Sequence, residues 1–159
     1  MEVLQEFHEG IIALSACLAG EVPGYILKGM NDEARKAARK YEACFGKGNY
    51  FLELQDHGIP EQRTVNMELL QMSRELDIPL VTTNDVHYTY AEDAIPHDIL
   101  LCLQTGKKLA DEDRMRYEGG QYYVKSRRRN EGDCSPMHGR PWRIHRGLQT
   151  VVMWRSSLA

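Results

Sequence analysis

No Cys-x-x-C pair occurs among the four cysteines, Cys17, Cys44, Cys102 and Cys134. That absence removes both a zinc ribbon and a disulfide framework and leaves buried thiols as the default. No apolar run approaches the roughly 20 residues of a membrane span, and the acidic N-terminus lacks the basic stretch of a signal peptide. Both absences point to a cytoplasmic setting. Extreme charge is missing as well: the formal net charge is −3 over 159 residues, about one domain by length. What is present, 42% hydrophobic residues, is enough for a core and reads as soluble and globular.

The average charge hides a break. Residues 1–126 carry 13 basic and 21 acidic side chains, a net −8, whereas residues 127–159 carry seven arginines, no lysine and two acids, a net +5. The short second stretch also holds both tryptophans, Trp142 and Trp154. A basic arm for nucleic acid is one reading of it. A stretch that was never selected as protein sequence is the other.

Hydrophobic patterning in the first stretch alternates between strand and helix. Gly10 to Cys17 is a short apolar run of the kind a buried parallel strand produces, and Leu18-Ala19-Gly20-Glu21 turns it into a loop or short helix. Asn31 is placed to cap a helix whose Ala34, Ala38, Tyr41 and Phe45 share one face, with Gly46 stopping it. Asn49 to Gln55 reads as a strand, Phe51 on one face and Leu52 and Leu54 on the other, closed by the turn Asp56-His57-Gly58. Pro60 opens a second helix, with Val65, Leu69, Met72 and Leu76 at helical spacing. Ile78-Pro79 leads into a third strand, and Asp93 to Leu103 reads as a helix with Ile95, Ile99 and Leu103 facing inward. Such alternation predicts an α/β fold with parallel strands, in which ligands sit beyond the carboxyl ends of the strands.

The third strand carries the most specific chemistry. Leu80 to Tyr88 ends in Asp85-Val86-His87, and in an extended chain residues i and i+2 share a face, so a carboxylate and an imidazole leave together toward a divalent metal. The same string also fits a turn in which Asp85 caps the next element and His87 is an ordinary surface residue; spacing alone favours that blander reading. Cys17, Asp56-His57 and Asp85-His87 all fall at strand ends, on one rim of the sheet.

Four blocks carry a resemblance to a family: Ile-Ile-Ala-Leu-Ser-Ala-Cys-Leu-Ala-Gly-Glu at 11–21, Tyr-Phe-Leu-Glu-Leu-Gln-Asp-His-Gly at 50–58, Leu-Val-Thr-Thr-Asn-Asp-Val-His-Tyr at 80–88 and His-Asp-Ile-Leu-Leu-Cys-Leu-Gln-Thr-Gly-Lys at 97–107. In that order they resemble the PHP (polymerase and histidinol phosphatase) domain of bacterial DNA polymerase III alpha subunits, over residues 7–126. The resemblance implies the C-terminal part of a distorted (β/α)7 barrel with metal ligands at its mouth. By motif, Cys17, Asp85 and His87 correspond to ligands, while His57 is left as a turn residue. It implies zinc or manganese in an intact domain, magnesium at a polymerase site lying outside this chain, and metal-assisted phosphodiester hydrolysis with 3′ to 5′ trimming.

It also implies what to expect missing. The family's first ligands come from an N-terminal His-x-His strand, which Met1 to Gly10 does not resemble, so residues 1–126 are expected to be a partial domain with little hydrolase and no polymerase activity of their own. The implied parent is a DNA-directed DNA polymerase whose partners are DNA, a sliding clamp and an exonuclease subunit. Two alternatives stand beside it: a PHP domain kept as a structural scaffold, and a stand-alone phosphoesterase of the histidinol phosphatase type. The string Leu103 to Tyr117 resembles the polymerase branch rather than the latter.

The resemblance stops after Gln121 to Ser126. Synonymous codons for Asp133 to Ala159, read from the third base of the Asp133 codon, permit the stop-free peptide LFPYAWEALENTQRIADRCNVEIEFG, which resembles the helix the family places here. Residues from about Arg127 onward are therefore expected to be an out-of-frame, disordered tail, and the helix they replace is expected to leave an apolar patch uncovered.

Overall fold

The computed structural model describes residues 1–126, so the expectations for the 127–159 tail and for Cys134 lie outside the described residues. The elements run α1 (Glu2–Glu6), β1 (Ala13–Leu14), α2 (Glu21–Leu27), α3 (Asn31–Phe45), β2 (Tyr50–Leu54), α4 (Pro60–Leu76), β3 (Leu80–Thr82) and α5 (Ala94–Thr105), with short 3-10 turns at Ala91–Asp93 and Glu118–Gly120. The strands form one open parallel sheet in the order β1-β2-β3. Register is set by Ala13 opposite Tyr50 and by Leu52, Glu53 and Leu54 opposite Leu80, Val81 and Thr82. The α/β expectation holds with three parallel strands.

Period two along β2 divides its side chains. Tyr50, Leu52 and Leu54 join the helical core with Val22, Ala34, Ala38, Leu69 and Met72, while Phe51 and Glu53 turn to the opposite face and are buried too. Small alanines at 34 and 38, both 0% exposed, let α3 lie close to the sheet. Pro60 occupies the first turn of α4, where its missing N–H costs nothing. Asp77, with φ 55, ends α4 in the left-handed conformation.

Three details depart from the sequence reading. The first strand spans only Ala13–Leu14, because Ala16 has φ 67 and turns the chain just before Cys17. Asn31 begins α3, but Met30 is its N-cap and no side chain caps it. The helix α5 forms as expected, yet Ile95, Ile99 and Leu103 are 72%, 49% and 80% exposed, and Leu101 and Cys102 are the buried pair. Spacing identifies an apolar stripe but not which neighbour covers it; here that stripe faces outward.

Candidate metal site at the strand ends

Cys17, His57 and Asp85 each lie three residues beyond the last residue of their strand, Leu14, Leu54 and Thr82. Because the strands are parallel, all three positions fall on one rim, as in other sheets whose ligands gather at carboxyl ends. Local backbone geometry singles out two of them. Of the described non-glycine residues with positive φ, Ala16 (φ 67) immediately precedes Cys17 and Asp85 (φ 41) is itself a candidate ligand. Conformations of that kind cost of order 1–3 kcal/mol and persist where the surroundings over-determine them.

The turn that presents Cys17 is tight. The Gly20 N–H donates to the Cys17 carbonyl at 2.7 Å, and a Cβ at residue 20 would sit 2.5 Å from the Ser15 carbonyl oxygen. Only glycine fits there. Cys17 is half-buried and unpaired, while Cys44 and Cys102 are buried thiols.

Asp85 and His87 do meet, though not by the expected route. Residues 83–87 are not a strand, and the positive φ at Asp85 breaks the extended chain. A turn instead brings the Asp85 Oδ2 to 3.5 Å from the His87 Nε2. That separation is an ion-pair distance without a hydrogen bond, and Nε2 is buried with no hydrogen-bond partner among the described residues. The imidazole is walled by aromatic rings, with the Tyr117 centroid at 4.2 Å and those of His97 and Tyr122 at 5.6 and 5.8 Å.

The loop holding this pair is fixed by polar bonds. Buried Asn84 donates through Nδ2 to the carbonyls of Gln121 and Tyr123, both at 2.7 Å, and the His87 N–H donates to the Tyr122 carbonyl at 2.8 Å. Residues 121–123 are thereby tied alongside residues 84–88, with an isolated parallel bridge between Tyr88 and Tyr123.

His57 is a structural residue of this rim. The geometry fits a neutral ring whose Nε2–H donates to the Asn84 carbonyl at 3.1 Å and whose Nδ1 accepts from Gln62 Nε2 at 2.9 Å. The ring stacks on Tyr122 at 4.0 Å. Burial is the main reason its pKa lies below the ordinary histidine value. With both nitrogens committed, it offers no lone pair to a metal.

Glu53 escaped the sequence reading. It is 5% exposed; one carboxyl oxygen accepts from the Thr83 hydroxyl at 2.5 Å and from Gln55 Nε2 at 3.3 Å, while Oε2 is buried without a hydrogen-bond partner. Burial raises its pKa above the usual carboxylate range, and the nearby Asp85 charge adds to that rise. The signal available in the sequence was a single acid inside the apolar run Tyr50–Leu54.

The rim is not a finished metal centre. Among the described residues no three His, Cys, Asp or Glu side chains group closely enough to hold an ion, so Asp85 and His87 form one corner and Cys17 stands apart. The donor chemistry nonetheless fits a divalent cation: thiolate, imidazole and carboxylate are zinc ligand types, and His87 Nε2 and Glu53 Oε2 are buried and unpartnered.

Residues 1–57 match the PHP domain family, a stretch that includes Cys17 and His57 and ends before Asp85 and His87. The chain carries PHP-domain sequence, and PHP domains generally bind metals. Over 125 residues it is 47% identical to DNA polymerase III subunit alpha of Treponema pallidum (strain Nichols), covering 79% of this chain and 11% of that protein. The same subunit from Deinococcus radiodurans is 46% identical over 125 residues, 79% of this chain and 9% of that protein, and that from Borreliella burgdorferi 42% identical over 123 residues, 77% and 11%. The chain is therefore homologous to a small part of DNA polymerase III alpha subunits, spanning about a tenth of the length of these curated relatives. Among the described residues no helix is long and apolar enough to cross a membrane.

Proposed function

We propose that this region serves as the metal-binding part of a phosphoesterase-like PHP module within a DNA polymerase III alpha subunit, in DNA replication. The observation that supports it most is the His87 Nε2, buried and unpartnered 3.5 Å from the Asp85 carboxylate. A zinc or manganese ion held there supplies Lewis-acid polarisation for phosphodiester hydrolysis. The residues of this chain do the holding. Asp85 offers negative charge from a backbone conformation fixed by the loop, His87 offers an Nε2 lone pair when its proton is on Nδ1, and Tyr117 and Tyr122 limit the ring's rotation and its access to water. Cys17, as thiolate, is a further donor from the neighbouring strand end. Trimming of 3′ ends, a polymerase centre on other parts of a longer chain and docking to a clamp or exonuclease subunit belong to this same reading of the whole protein.

A scaffold without metal is the second reading, and the failure of three donors to converge among the described residues favours it. Metal content separates the two. The full chain, dialysed against zinc or manganese and then metal-free buffer, retains close to one ion per chain in the first reading, and Asp85→Asn with His87→Ala releases it. No retained metal in the unmodified chain establishes the scaffold.

A further inference from the structure

The outer face of α5 is seated on the fold by its other side, where Leu101 and Cys102 are buried, and carries Ile95, Ile99, Leu100 and Leu103 at 72%, 49%, 61% and 80% exposure. These four form one apolar strip on a helix of 12 residues, about 18 Å long. No described residue covers it, and an exposed contiguous strip marks a contact surface. Two observations say what fits there. The first is the path of the chain. A Cβ at Gly120 would lie 3.8 Å from the Ala94 Cβ, and the Val124 N–H donates to the Thr89 carbonyl at 3.2 Å, so the chain passes the start of α5 shortly before residue 127. Residues 127–132 span at most about 20 Å, which keeps whatever follows them within reach of the strip. The second is the shifted reading of residues 133–159, LFPYAWEALENTQRIADRCNVEIEFG. Its portion AWEALENTQRIADRC places Ala, Ala-Leu, Thr, Ile-Ala and Cys at steps of three and four, a single apolar face. A proline stands just ahead of it, glutamates come early and an arginine falls in the last turn, as helix ends favour.

We propose that the Ile95–Ile99–Leu103 strip is the docking seat for this amphipathic helix, which packs along α5 as a helix pair, and that the out-of-frame reading of residues 127–159 removes the occupant from this chain. The pairing fits in length and in chemistry. A helix of about four turns matches the 12 residues of α5. Small Ala and Thr side chains on its face allow the axes to approach to about 8–10 Å, with its Leu and Ile set between the large side chains of α5. The seat uses the face of α5 opposite Leu101 and Cys102 and needs no metal at the rim.

Hydrogen exchange on the full 159-residue chain tests this in two forms: with the peptide LFPYAWEALENTQRIADRCNVEIEFG added, and with the same string fused after residue 132 in place of residues 133–159. The added peptide is expected to slow exchange of the α5 amides from 99 to 104 and to gain helicity by circular dichroism on mixing; the fusion does so on its own and scatters less light. Leu103→Asp, at a site 80% exposed, is expected to weaken peptide binding by roughly tenfold or more, because it sets a charge against the apolar face. Ile95→Asp does the same and serves as the test if the first variant fails to fold. A scrambled peptide of the same composition is expected not to bind. The docking seat is overturned by unchanged α5 exchange in both the mixture and the fusion, by equal slowing with the scrambled peptide, or by slowing that both aspartate variants leave intact. Protection of α5 in the unmodified chain that grows with concentration assigns the strip to a second copy, and protection independent of concentration assigns it to residues 127–159; either result overturns the proposal.

Discussion

Residues 13–82 and residues 83–126 are held by different forces. The first stretch is an apolar interlock in which Leu52, Leu69, Met72 and Ala34 are 0% exposed and three helices cover one face of the sheet. The second has few buried apolar side chains, leaves the α5 stripe outside, and is fixed by Asn84, by the Arg114 pair to Asp98 at 2.5 and 2.7 Å, and by rings around His87, with Tyr122 stacked on His57 of the first stretch. The apolar core and the Asp85–His87 corner therefore rest on different residues, although Cys17, Glu53 and His57 of the rim belong to the first stretch.

The sharpest test is at the core. Leu69→Ala removes a side chain with no exposure, and the transfer and cavity terms together predict a loss of about 2–5 kcal/mol, read as a large drop in the urea midpoint. Asn84→Ala is expected to cost less, about 1–3 kcal/mol for two carbonyls left without their donor. Its main effect is local: amides at 87, 88 and 122 exchange faster, while those of β2 do not. Equal global losses from both variants would show one cooperative unit and remove the comparison.

Much of the first region was legible because its signals are local. Pro60, Gly46 and the Ala34–Ala38 spacing mark helix ends and faces through conformational preferences that tertiary packing had no reason to override. The rim was partly legible: parallel strands put Cys17 and Asp85 on one edge whatever the details. The meeting of Asp85 with His87 was anticipated for the wrong reason, since a left-handed turn rather than an extended strand joins them. Glu53 and Gln62 were not legible, because whether a polar side chain is buried, and against what, depends on partners 30 and 5 residues away. The outward stripe of α5 was misread for the same reason.

The comparison also predicts a pH dependence confined to the rim. The buried His57 has a folded pKa below its ordinary value of 6.5, so the native state binds fewer protons than the unfolded chain as pH falls. Stability from the neutral ring is complete above the unfolded pKa and is lost as pH drops below about 6.5. Glu53, raised by burial, works the other way, losing stability as pH rises from 4.5 through its folded pKa. As pH falls below about 6.5, His57→Gln is expected to flatten the fall in urea midpoint, with a slope for one group of at most about 1.4 kcal/mol per pH unit, and Glu53→Gln to remove the opposing loss that sets in as pH rises above 4.5. A slope that His57→Gln leaves unchanged would move the titration to another group, His97 first, since its pKa is also lowered by burial.

The smallest effect on stability belongs to the outer stripe of α5. Leu103 is 80% exposed and Ile95 72%, so Leu103→Lys removes almost no buried area and is expected to change the midpoint by no more than about 0.5 kcal/mol. Its consequence lies in association, because Ile95, Ile99 and Leu103 make one contiguous apolar strip and strips of this kind drive self-association. Light scattering is therefore expected to show less aggregate in Leu103→Lys than in the unmodified chain at equal concentration. A large loss of stability instead would mean that the stripe is covered by packing from outside the described residues, and the second region would then be apolar in its own right rather than polar and ring-bound.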